Sequence, residues 1–200
     1  ESGAIGIASR SNGGQITFRE FMGVGADEYA YVSPDPKDSN IIYGGRVIRF
    51  NKKTGQSQFV GPEALRSGVF RYIRTMPLLF HPANDKMLLF GTNVVWKTLD
   101  GGQNWQQISQ DLTRKQPEVP ASVGDYKTDN LKTMSQRAIV YALGPSHLDE
   151  NIIWAGTDDG LVHVTTNGGK TWENVTPSAI SSWDKISQID AVILIKVQHT

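Results

Sequence analysis

The stretch TLDGGQNW, Thr98–Trp105, returns at Thr165–Trp172 as TTNGGKTW. Nearly every shared position has a turn-building task. Asp100, or Asn167 in the second copy, carries a short side chain that accepts hydrogen bonds from backbone N–H groups of its own turn. Gly102 and Gly169, each preceded by another glycine, supply the positive φ that such a hairpin requires. Trp105 and Trp172 then open an outer strand and offer a ring for packing on the sheet or between sheets. Chemical readings of the same residues fail at particular positions. A phosphate loop needs a glycine five residues ahead of the Gly-Lys-Thr in NGGKT, where Val164 stands, and the lysine is missing from the first copy. A carboxylate used as acid or base is not interchangeable with the amide of Asn167.

Reading outward, the match extends upstream. FHPANDKMLLFGTNVVWKT precedes the first copy and LGPSHLDENIIWAGTDDGLVHVT the second. A more degenerate unit, YVSPDPKDSNIIYGGRVIRFNKKTGQSQFV, places Pro34, Tyr43 and Gly44 where Pro82, Phe90 and Gly91 stand, but its turn NKKTG lacks the octapeptide pattern. Short β-branched and aromatic runs such as NIIYGG, KMLLFG, NVVWKT and NIIWAG, bounded by Gly, Pro, Asn or Asp, predict four strands per unit. Helical periodicity is nearly absent, with one short turn in GPEALRSGVF. Four-stranded units repeated at tens of residues predict an all-β fold, a β-propeller. The blades fall at about 26–60, 71–110 and 136–177, with partial blades at 1–25 and 183–200 and a polar insertion at 111–135. Closed rings have about 4–8 blades, so the chain reads as an arc of a larger propeller. The rest of the ring is expected from the full-length chain or from another chain, because an open arc leaves edge sheets with unpaired faces.

Composition narrows the partners. Twenty Lys and Arg balance twenty Asp and Glu, so the basic footprint of a nucleic-acid binder is missing. No apolar run approaches the roughly 20 residues of a membrane helix. The absence of cysteine excludes disulfides and thiolate metal sites but does not assign a compartment. The opening ESGAIGIASR shows neither an initiator Met nor a signal-peptide core, as in a segment of something longer.

The octapeptide resembles the Asp-box, or BNR repeat, and the chain resembles Asp-box propellers over its whole length. VSPDPKDSNIIYGG, ISQDLTR and IIWAGTDDGLVHVTTNGGKTWENVTP are similar to large bacterial BNR-repeat or sortilin-like glycosyl-hydrolase-type proteins. Sialidases, xyloglucanase-type hydrolases, sortilin ectodomains and a photosystem II assembly factor share the box. The resemblance implies a propeller in an exported bacterial protein, periplasmic, cell-surface or secreted. It implies no particular activity, since the box lies on the outer rim.

Propellers bind ligands at a mouth of the central channel, lined by the innermost strands. The register of Pro34, Pro82 and Pro145 makes DEYAYVSP, RTMPLLFHP and RAIVYALGP the inner strands, with WDKISQID as a fourth. Their leading ends bring Asp27 and Glu28, Arg71, Tyr72 and Arg74, Gln136 and Arg137, and Asp184 and Lys185 to equivalent positions, a candidate ligand surface. The plainer reading of the same residues is Arg–carboxylate pairing that holds neighbouring blades together. A sialidase would need an arginine triad and a Tyr–Glu pair, for which FRYIRT with Glu63 is a slender basis. An inverting hydrolase would need two carboxylates about 6.5–9.5 Å apart, drawn from Asp27, Glu28, Asp125, Asp129 and Asp184. The four histidines are scattered without metal-ligand spacing, the acid-rich PDPKDSN and GTDDG read as turns rather than Ca²⁺ loops, and no cofactor is implied. Trp96 and Trp154 lie in core-patterned strands, whereas Trp183 is less constrained. Asn174 heads an NVT glycosylation sequon. The function these features predict is a scaffold and binding module for a carbohydrate or protein ligand. The alternative is a glycoside hydrolase whose active-site wall includes this arc. Facing carboxylates in an open groove would mark the hydrolase, and acids already paired with arginine the scaffold.

Overall fold

The computed structural model describes residues 3–26, 30–115, 124 and 138–191, and in them the chain is all-β with two short 3-10 turns. Strands β1 (Ile5–Ile7) and β2 (Phe21–Gly23) form a two-stranded antiparallel sheet. Three four-stranded sheets follow, each an antiparallel meander in chain order. The first contains β3 (Val32–Pro34), β4 (Ile41–Gly44), β5 (Ile48–Asn51) and β6 (Gln56–Phe59). The second contains β7 (Leu78–His81), β8 (Asn84–Gly91), β9 (Val95–Thr98) and β10 (Gln106–Gln107), and the third β11 (Val140–Pro145), β12 (Ile153–Thr157), β13 (Val162–Thr165) and β14 (Glu173–Asn174). Three successive four-stranded meanders stacked face to face are an arc of a β-propeller.

The stacking explains why the central strands read as continuous apolar runs rather than alternating ones. Successive side chains of a strand point to opposite faces. Leu88 and Phe90 in β8 and Trp96 in β9 enter a core shared with Ile41 and Tyr43 of the first sheet. Their neighbours Met87, Leu89 and Val95 enter a second core with Val140, Leu143, Ile153 and Ala155 of the third sheet. The second sheet is thus buried on both faces. β3 and β7 lie side by side, with the Phe80 N–H donating to Ser33 Oγ at 3.3 Å, and β11 lies against β8. β3, β7 and β11 are the leading edge strands of their sheets, the position that lines the centre of a propeller.

Several boundaries differ from the sequence reading, and the hydrogen-bonding chemistry gives the reason. Arg74–Pro77 lies ahead of β7 because Pro77 has no N–H to place in a ladder. GPEALRSGVF contributes a 3-10 turn at Glu63–Ser67. Residues 111–115, expected to open the insertion, bury Leu112 in the core between the second and third sheets, which Ile108 just ahead of them also enters. WDKISQID forms no strand among the described residues, because no neighbouring strand ladders with it. Its Ile186 N–H nevertheless donates to the Thr157 carbonyl at 3.0 Å, the bond that Val140 N–H makes to the Thr92 carbonyl at 2.7 Å one unit earlier.

Candidate functional site

The sequence points to the leading ends of the inner strands, and at Arg71 the structure places a closed polar network. Arg71 lies ahead of β7, and its backbone N–H donates to Asn93 Oδ1 at 2.9 Å. Its guanidinium donates to Asp111 Oδ2 at 2.8 Å, Thr113 Oγ1 at 2.7 Å and the Ala138 carbonyl at 3.0 Å. Asn93 Nδ2 also donates to Asp111 Oδ2, at 3.0 Å. Burial would raise the Asp111 carboxyl, but hydrogen bonds from Thr113, Arg71 and Asn93 outweigh it and hold the group below its ordinary value. The next residue but two repeats the pattern, with Arg114 N–H donating to Asp159 Oδ2 and its Nε–H to the Asp159 carbonyl, both at 2.8 Å. These groups satisfy one another across the seam between the second and third sheets.

The other sequence-derived candidates are dispersed. Tyr72 is partly exposed and receives the Arg46 guanidinium over its ring at 5.1 Å. Asp184 Oδ2 accepts the Ser181 N–H at 2.7 Å, closing its own turn. Lys185 lies 4.3 Å from the centre of the Tyr141 ring. Arg74 sits between Arg71 and β7. Asp27, Glu28, Gln136, Arg137, Asp125 and Asp129 lie outside the described residues. Trp96 is core, edge-on to Phe70 at 4.9 Å, and Trp183 is 47% exposed with φ 75°.

Asp158 stands in GTDDG, which is a turn as its sequence predicts, but with a long-range partner. It follows β12, and its Oδ1 accepts the Ile139 N–H at 2.9 Å. Desolvation raises its carboxyl from the ordinary value, more than that hydrogen bond lowers it, and the neighbouring Asp159 charge adds to the rise. Asp111 and Asn93 were missed by the sequence reading: both stand in phrases whose turn residues hid their long-range partners.

The octapeptides occupy the outer end of each seam. Asp100 Oδ1 accepts the Asn104 N–H at 2.9 Å and the Thr98 hydroxyl at 2.7 Å, and Asp100 Oδ2 accepts from Asn104 Nδ2 at 2.7 Å. The bonds from Asn104, then that from Thr98, hold its carboxyl down to about 2. Asn167 Oδ1 accepts the Thr171 N–H at 3.0 Å in the same way, while its Nδ2 donates to Thr171 Oγ1 at 2.7 Å. Each tryptophan then reaches across to the preceding sheet. Trp105 Nε1–H donates to the Val60 carbonyl and Trp172 Nε1–H to the Ile108 carbonyl, both at 2.6 Å. Between the first seam's outer strands and its octapeptide opens a crevice of about 830 Å³ lined by Arg49, Gln58, Phe59, Glu63, Arg66 and Gln103. It lies at the rim, with Arg66 already over the Phe59 ring at 5.7 Å.

The fold and its seams define a partial β-propeller. No family model matches the chain, and no curated protein matches it. Among solved structures it is similar to an ancestral GH74 enzyme (16% identity, 80% of this chain and 19% of that one, TM-score 0.47). It is also similar to a GH74 enzyme of Niastella koreensis (18%, 78% and 23%, TM-score 0.45) and to YCF48 bound to D1 peptide (14%, 72% and 66%, TM-score 0.27). The chain spans 19% and 23% of the two GH74 chains. No described helix is long and apolar enough to cross a membrane.

Proposed function

We propose that this arc is a non-catalytic scaffold and binding module, for a carbohydrate or protein ligand, within an exported bacterial Asp-box propeller. The observation that carries the reading is the closed network at Arg71. The arginine is spent on Asp111, Thr113 and the Ala138 carbonyl, and Arg114 is bound to Asp159, so these polar groups hold sheets together. Among the described acids considered for an inverting pair, Asp184 is engaged in its own turn. Ligand contacts then belong to Tyr72, which is exposed, to Arg74, to the oxygen of Asp184 that its turn leaves over, and to Asp27, Glu28 and Arg137.

The glycoside-hydrolase reading needs two carboxylates about 6.5–9.5 Å apart, and Asp158, part-buried against the Ile139 N–H with its carboxyl raised by burial, is the described acid to test for it. One experiment separates the two. The protein and its D27A/E28A and D158N variants are applied to a glycan array and to chromogenic β-glycosides. Array binding lost in D27A/E28A, with no turnover by any form, supports the module. Turnover by the wild type that D158N abolishes overturns it in favour of the hydrolase.

A further inference from the structure

The two seams share one construction. In the first, the Val60 N–H donates to the Val47 carbonyl at 2.9 Å, and the Val60 carbonyl accepts Trp105 Nε1–H. A Cβ on Gly102 would lie 2.8 Å from that carbonyl oxygen, so only glycine allows the approach. In the second, the Ile108 N–H donates to the Val95 carbonyl at 2.9 Å, its carbonyl accepts Trp172 Nε1–H, and a Cβ on Gly169 would lie 2.6 Å from it.

The third sheet ends in the same seat. The Val175 N–H donates to the Val162 carbonyl at 2.9 Å, while the Val175 carbonyl accepts no hydrogen bond from any described residue. At the inner end of that face the chain has already begun the next seam. Ile186 N–H occupies the Thr157 carbonyl as Val140 occupies that of Thr92, and Ile186 and Ile189 cover Gly156 and Gly144 so closely that a Cβ on either glycine would collide with them.

We propose that the Val175 carbonyl, with the outer rim of the third sheet, is the docking seat for the tryptophan of a further four-stranded unit whose outer hairpin reads Thr-x-Asp/Asn-Gly-Gly-x-x-Trp. Continuity with the two existing seams argues for that occupant. A second copy of this chain does not fit. Both of its hairpin tryptophans are already seated, on Val60 and Ile108, and its first sheet, the one a head-to-tail copy would present, closes β5–β6 with Asn51–Gly55, which has no tryptophan. The inference holds whichever ligand the arc binds.

The test uses the isotopically labelled chain and a disulfide-cyclised hairpin peptide containing TTNGGKTW, its hairpin verified by its own spectrum. Amide shifts at Thr176, which follows the Val175 carbonyl, should move saturably with added peptide, while those following Val60 and Ile108 stay fixed. Replacing the peptide's tryptophan by phenylalanine keeps the ring and removes the donor, and should weaken binding about tenfold, the equivalent of one hydrogen bond. No response at Thr176 up to millimolar peptide, or equal binding of the phenylalanine peptide, overturns the proposal. So does a concentration-dependent dimer, seen by sedimentation, that protects Val175 from peptide.

Discussion

At the scale of single residues, the two octapeptides show two solutions to one hydrogen-bonding problem. Asp100 can only accept, and its second oxygen faces the Asn104 amide; Asn167 must donate with its second atom, and it faces the Thr171 hydroxyl. Changing Asp100→Asn alone removes the charge and obliges the exposed Asn104 amide to turn over and present its oxygen, whereas D100N/N104T reproduces the second copy. The single variant should lose about 0.5–1.5 kcal/mol and the double should recover most of it, a coupling that a double-mutant cycle of thermal unfolding measures. Removing the carboxylate should also flatten the acid limb. With its folded pKa depressed to about 2, Asp100 contributes stability that is complete above the unfolded carboxylate range near 3.9 and is lost as pH falls through about 2. Gly102 makes a second case, since an added Cβ there meets both positive φ and the Val60 carbonyl, while at Gly55 nothing lies within 4 Å. Gly55→Ala should cost about 1–2 kcal/mol, the penalty for the left-handed region, and Gly102→Ala clearly more, read from paired denaturant melts. The histidines set the behaviour nearer neutrality. Burial lowers the pKa of His81, against the opposing pull of Glu150 and Asp149 and with the help of His147, and it lowers that of His163 against Asp159. Their folded pKa values lie below the unfolded value near 6.5, so the contribution is complete above that pH and declines as pH falls below it. Melting midpoints taken from pH 8 to 5 should drop below pH 6.5, and less steeply in H81Q/H163Q. Which side chains bond within an octapeptide was legible from turn chemistry. That the tryptophan would seek a carbonyl of another sheet was not, because nothing local marks Val60 or Ile108 as acceptors.

At the scale of elements, β8 divides the work of the arc between adjacent residues. Leu88 and Leu89 are both fully buried, yet Leu88 belongs to the core shared with the first sheet and Leu89 to the core shared with the third. Truncation to alanine should cost about 2–5 kcal/mol at either site, but the consequences should diverge. Leu88→Ala should raise amide exchange chiefly in β3–β6, and Leu89→Ala chiefly in β11–β13, an asymmetry that mass-resolved hydrogen exchange detects. If both variants loosen the same sheet, the alternation has been misread. The strands themselves were visible in the sequence because β-branched and aromatic runs end at Gly, Pro and Asn. The strap carrying Asp111, Thr113 and Arg114 was not visible. Polar residues with a few apolar ones read as insertion until the structure shows Leu112 buried beneath them and Arg71 bonded to Asp111.

At the scale of the whole molecule, the arc is stabilised from its middle. The second sheet is packed on both faces and tied to both neighbours, through Trp105 and the Phe80 N–H to the first sheet, and through Trp172 and the Thr92 carbonyl to the third. Among the described residues, Gly25 and Ala26 lie against Phe50 and Gly44 of the first sheet, and the β1–β2 sheet is largely exposed, with Phe18 between its strands at 90%. The third sheet's far face is covered at the inner edge by Ile186 and Ile189. Propeller sheets stabilise one another as nearest neighbours, so local opening free energies should follow the number of packed faces. Native-state hydrogen exchange should therefore find the slowest amides in β8 and β9, intermediate ones in β4, β5, β12 and β13, and the fastest in β1, β2, β6, β10 and β14. A docked further unit at Val175 should raise the third sheet to the level of the second without changing the first. A single opening free energy shared by all three sheets would contradict this order, since it would mean that the arc unfolds as one body and that the seams are as strong as the sheets they join.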